Sequence, residues 1–89
     1  MIYTGQMKDN LQHGKGKVLF SDGSSYEGDW QYGKQHGYGV WKQAGKTFSG
    51  TWEHGLMHGE IEIDDGKGGL AKAIYKSGKQ KPFSLRKIR

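Results

Sequence analysis

The chain has no cysteine and a single proline, Pro82, among its 89 residues. Without cysteine there can be no disulfide staple and no thiolate metal site. One proline excludes a collagen-type helix, although 16 residues are glycine. Long apolar runs are missing too, the longest of large side chains being Val18-Leu19-Phe20. A membrane-spanning helix needs about 20 apolar residues and a leader core about 7–15, so neither is expected within these residues. Only 33% of residues are hydrophobic, and the length suits one small domain. What remains is abundant glycine beside 12% aromatic residues. A flexible linker does not carry that many rings, so the glycines point to a repeating geometry.

The repeat is visible on the aromatics Tyr3, Tyr26 and Phe48, offset by 23 and 22 residues. Gly5, Gly28 and Gly50 each follow two residues later, and Met7, Trp30 and Trp52 two after those. The pairs His13-Gly14, His36-Gly37 and His58-Gly59 keep the same step. Gly14/Gly16 and Gly37/Gly39 form G-x-G, where the third copy reads Gly59-Glu60-Ile61. A degraded fourth copy aligns Ala73-Ile74-Tyr75 with Gly28-Asp29-Trp30 and departs at Pro82. The units are residues 1–25, 26–47, 48–70 and 71–89, the last ending in a basic segment.

Each unit predicts a β-hairpin. In Tyr26-Glu27-Gly28-Asp29-Trp30 apolar and polar positions alternate with period two, and no helical period persists. Asp9-Asn10, Tyr32-Gly33 and His54-Gly55 suit two-residue turns, and Asp22-Gly23, Ala44-Gly45 and Asp65-Gly66 turn the chain onward. Ala71 to Lys76 is read as a strand. A glycine beside a bulky ring leaves a slot in which the ring can lie across the strand. One hairpin cannot bury enough surface alone, so neighbours must share a sheet. Eight strands at ~4.8 Å give an array of roughly 40 Å.

Tyr26-Glu27-Gly28-Asp29-Trp30 followed by Gly33-Lys34-Gln35-His36-Gly37-Tyr38-Gly39 resembles a MORN repeat (membrane occupation and recognition nexus). The resemblance covers about residues 3–80, with departures at Met7, Asn10, Ile61 and Pro82. It implies an all-β fold, an extended, twisted single antiparallel sheet of consecutive β-hairpins. It also implies a scaffold or adaptor in the cytoplasm, at cytoskeleton, cilium or a membrane face. MORN repeats also accompany larger enzymes such as lipid kinases and lysine methyltransferases, so a regulatory module is an alternative.

No catalytic, cofactor or metal site is expected. His13, His36 and His58 fall in a row about 10 Å apart, too far to share one zinc ion. The G-x-G pairs precede a strand rather than a helix, unlike a phosphate loop. Glu60, Glu62 and Asp64 alternate onto the solvent face. The expected interaction surface is an aromatic face of Tyr26, Trp30, Trp41, Phe48 and Trp52, partly spent on covering glycines and otherwise exposed to a protein partner. The second is cationic. Residues 71–89 hold seven basic and no acidic side chains, whereas residues 1–70 carry net −2. Within that segment Lys79, Lys81, Arg86, Lys87 and Arg89 interleave with Phe83, Leu85 and Ile88, as in an interfacial segment attaching to anionic lipid. Nucleic acid is not expected, because the segment lacks a stacking series. Tyr3 opens a strand near the first residue, so that edge is expected to meet further repeats, a second copy or a partner.

Overall fold

The computed structural model describes residues 1–82 and 84–89; Phe83 lies outside the described residues. Four hairpins follow one another. They are β1 (Ile2–Lys8) with β2 (Leu11–Leu19), β3 (Ser25–Gln31) with β4 (Lys34–Gln43), and β5 (Lys46–Glu53) with β6 (Leu56–Asp64). The fourth pairs β7 (Leu70–Lys76) with an interrupted strand, β8 (Lys79–Gln80) and β9 (Arg86–Lys87). All pairings are antiparallel, in chain order, within one sheet. No helix occurs among the described residues. The longest dimension is 41 Å, as the strand count predicts.

The turn chemistry is as the sequence dictates. Tyr32-Gly33 and His54-Gly55 both have positive φ at each central residue, 49° and 84° and then 53° and 84°. That is the twist-matched turn that joins strands in a two-residue hairpin. Asp9-Asn10, Ala44-Gly45 and Ser77-Gly78 do the same. The connection after β2 is longer and is held by Asp22, whose Oδ1 accepts bonds from the Ser24 amide and hydroxyl at 2.9 and 2.5 Å. Asp65 Oδ1 likewise accepts the amides of Lys67 and Gly69, at 2.7 and 2.9 Å.

The core lies on one face of the sheet, the inner face. Val18, Tyr26, Trp30, Trp52, Met57 and Ile61 form it, with Tyr26 and Ile61 almost wholly enclosed. A single layer manages this because rings lie across glycines. A Cβ on Gly39 would stand 2.5 Å from Cζ of Tyr26, and one on Gly16 2.6 Å from Cζ of Tyr3. Each phenol then donates back to its own strand, Tyr3 to the Gln6 carbonyl at 2.6 Å and Tyr26 to that of Asp29 at 2.9 Å. The third unit solves the same packing differently. Phe48 has no hydroxyl to place, and Ile61 fills the slot that glycine leaves open in the earlier units.

Each unit also locks onto the one before it. Indole Nε1 of Trp30 donates to the Gly16 carbonyl at 3.0 Å, and that of Trp52 to the Gly39 carbonyl at 3.4 Å. The turn amides of Gly33, Gly55 and Gly78 donate to the carbonyls of Gln12, Gln35 and Met57. Met7 holds the tryptophan position of the first unit, on the first strand among the described residues, and its side chain is exposed.

The two ends of the sheet differ. Strand β1 has an unpaired outer edge. The outer edge of β7 is covered by the chain itself. Lys81 donates to Ile74, and Ile88 and Arg89 both donate to the Leu70 carbonyl. Pro82, with no amide to give, falls in the break between β8 and β9, which is where such a residue fits. The basic segment is thus part of the fourth hairpin.

Candidate functional site

The five aromatic residues expected to share an accessible face divide into two groups. Tyr26, Trp30 and Trp52 are buried, spent on the core. Their edge-to-face contacts explain why: Trp30 meets Tyr3 at 5.4 Å and Tyr26 at 5.3 Å, and Trp52 meets Tyr26 at 5.1 Å. Such pairs add about 0.5–1.5 kcal/mol beyond burial, so exposing these rings to a partner would cost fold stability. Trp41 and Phe48 remain half-buried and stacked on each other, 5.5 Å between centroids. They are register partners on β4 and β5, so their side chains meet across the ladder.

This pair separates two cavities. The first, of about 560 Å³, lies on the Trp41 side. It runs from the hairpin-turn end of the sheet, at Gln35, Gly55 and Gly78, to the connection end at Ser21, Asp22 and Gln43. Its apolar floor is Phe20, Tyr26, Trp41, Trp52 and Met57, with Leu56 at the margin. The second, of about 630 Å³, lies on the Phe48 side against Ile63, Tyr75 and Leu85. Lys46, Asp65, Lys87 and Arg89 border it.

The sequence pattern alone did not single out Phe20, Asp22 or Leu56 for this surface. Phe20 follows Val18 at the two-residue step of β2 and therefore shares its face, a signal that was there to use. Asp22 could only be placed once the loop geometry was known.

Lys79, Lys81, Arg86, Lys87 and Arg89 are all exposed, at the end of the sheet formed by the fourth hairpin. The outer face carries charge of both signs. Lys15 pairs with Asp29 across β2 and β3, and Lys72 with Glu60 at 3.4 Å, while Glu62 is exposed there. The histidines serve the turns. His13 packs on Tyr32 at 5.3 Å and His36 on His54 at 5.6 Å, each turn residue belonging to the next hairpin.

Burial, with help from the Asp29 carboxylate, pushes the Tyr26 phenol up, which keeps it a neutral donor. Asp22 and Asp65 shift the other way. Hydrogen bonds from Ser24 hold Asp22 below the usual carboxylate range. Those from Lys67 and Gly69, aided by the charges of Lys87 and Lys46, do the same for Asp65. A carboxyl depressed in the folded state adds stability above its unfolded pKa and loses it as pH falls through the folded value. The urea midpoint is therefore expected to drop as pH is lowered from about 5 to about 3. Combining Asp22→Asn with Asp65→Asn should flatten that decline; an equal slope in the double variant would contradict the assignment.

The sequence pattern that defines the MORN repeat matches residues 3–25, 26–44 and 48–60. MORN repeat-containing protein 3 of Xenopus laevis is 45% identical over 40 residues. That stretch is 44% of this chain and only 17% of the relative's length. Neither the repeat nor this relative is named for a reaction.

Proposed function

Because the chain belongs to the MORN-repeat family, we propose that it is a non-catalytic protein-interaction module that holds a segment of a partner along the Trp41 cavity. The observation that carries this reading is the half-buried Trp41 flooring an apolar channel of about 560 Å³. A cavity of this size and lining is suited to side chains of a bound chain. Trp41 and Phe20 are the half-buried rings of this floor, since Tyr26 and Trp52 are already enclosed.

Trp41→Ala is the direct test. A photo-crosslinking residue placed at Leu56, on the cavity margin, should capture a protein partner in the native cell extract. Trp41→Ala should reduce that capture about tenfold, as loss of an aromatic anchor does at an interface, while the melting temperature falls by only a few degrees. Capture that is unchanged by Trp41→Ala would overturn the reading.

A second reading, attachment to anionic lipid, is supported by Lys79, Lys81, Arg86, Lys87 and Arg89, all exposed on the fourth unit. Each basic residue near an anionic surface adds about 1 kcal/mol. Co-sedimentation with phosphatidylserine vesicles should then fall steeply between about 0.05 and 0.5 M salt, within a shrinking Debye length. Neutralising Lys79, Lys81, Arg86, Lys87 and Arg89 to glutamine should abolish it. Binding that is indifferent to both salt and these substitutions would count against this reading.

A further inference from the structure

The Trp41 cavity has a charge character that its apolar floor does not explain. Among the described residues that line it, Asp22 alone is charged at neutral pH. This happens in a chain whose formal charge is +5. No lysine or arginine lines the cavity among the described residues, and Asp22 makes no ion pair among them. Its carboxylate is also fixed in place. Oδ1 is engaged by both the amide and the hydroxyl of Ser24, itself buried. Those bonds favour the charged form. At the connection end, therefore, a pre-oriented negative charge lines the same cavity as the aromatic residues Phe20 and Trp41. Aromatic faces attract cations, and a long basic side chain can lay its apolar stem on a ring while its head reaches a carboxylate.

We propose that the cavity selects a basic peptide, seating a lysine or arginine of the partner with its stem against Phe20 and Trp41 and its charge at Asp22. The proposal rests on the interaction reading above and names the chemistry of its partner. Asp22 is exposed, so it repels an acidic peptide and gives a neutral one nothing, which is how a single fixed charge contributes specificity.

The test is selection of a random 12-residue peptide library displayed on phage against the immobilised full chain, followed by fluorescence titration of the selected peptides. Asn keeps an oxygen to accept from Ser24, so Asp22→Asn removes the charge with the loop bonds retained; a thermal melt verifies folding. The expected result is enrichment of lysine or arginine in peptides whose binding needs Trp41. Those peptides should bind Asp22→Asn about tenfold more weakly, and wild type more weakly as salt is raised. Replacing the selected basic residue by norleucine provides a second measure that does not depend on any variant of the chain, and should also cost about tenfold. Trp41-dependent peptides that are neutral or acidic, or whose affinity survives both changes, would overturn the basic-peptide proposal and leave the interaction reading standing. Selection that yields no Trp41-dependent peptide would overturn both.

Discussion

Gly39→Ala should destabilise the chain by about 3 kcal/mol, the upper part of the range for overpacking a filled core. The added methyl has nowhere to go. It would stand 2.5 Å from Cζ of Tyr26, a side chain only 1% exposed. The ring cannot step aside cheaply, because its hydroxyl is tied to the Asp29 carbonyl and Trp30 and Trp52 flank it edge-on. Backbone conformation is not the cause, since Gly39 is not among the glycines with positive φ. Gly45→Ala makes the contrast. There φ is 81° and a Cβ meets nothing within 4 Å, so only backbone strain of about 1 kcal/mol applies. Urea denaturation of the two variants side by side measures the difference. Equal losses would mean that the ring-over-glycine contact carries no special weight.

Trp52→Ala is the second large effect, an expected loss of about 3–5 kcal/mol. Trp52 is buried, donates to the Gly39 carbonyl, and touches Tyr26 and Trp41. Removing it opens a hole between the second and third units and strands a carbonyl acceptor. For a chain of this length, total stability is of order 5–10 kcal/mol, so much of the native population is at stake. Far-ultraviolet circular dichroism with a thermal melt reads the outcome. A melt within a few degrees of wild type would refute the assignment of Trp52 to the core. Trp41→Ala is expected to differ in kind, because that ring is only half-buried and its loss should show first in binding.

Much of the fold was legible because the repeat reports its own geometry. Alternation across Tyr26 to Trp30 gives the strand, and the glycine-bearing pairs at 32–33 and 54–55 give the turns. The slot role of glycine was also readable, since aromatic and glycine keep one spacing through the first two units. The division of the aromatic stripe was not. Trp30, Trp41 and Trp52 look alike on a list of apolar positions. What separates them is which strand of a hairpin carries each. Trp30 and Trp52 end the first strand of their hairpins and lean back onto the preceding unit's carbonyl, while Trp41 sits on a returning strand opposite Phe48. The pairing of the basic segment was not legible for a related reason. Pro82 marks where the ladder breaks, but nothing local announces that the strand resumes at Arg86 against Lys72. Asp22 reads from the sequence only as a turn residue, because a loop aspartate next to glycine is ordinary turn chemistry. Its second role depends on where the loop places it.

The links between units have an evolutionary consequence. Trp30 and Trp52, and the turn amides of Gly33, Gly55 and Gly78, all address main-chain oxygens. Every residue type supplies that acceptor, so these hydrogen bonds do not depend on the preceding unit's side chains, and only the ring contacts of Trp30 with Tyr3 and of Trp52 with Tyr26 do. Glutamine at 12 and 35 and methionine at 57 serve the turn amides equally. Duplication or excision of one whole unit therefore restores the turn-amide bond at each junction, whereas loss of a few residues within a unit breaks its register. Such a chain is free to change in length by whole modules while its individual positions drift, as Met7, Ile61 and Tyr75 already have.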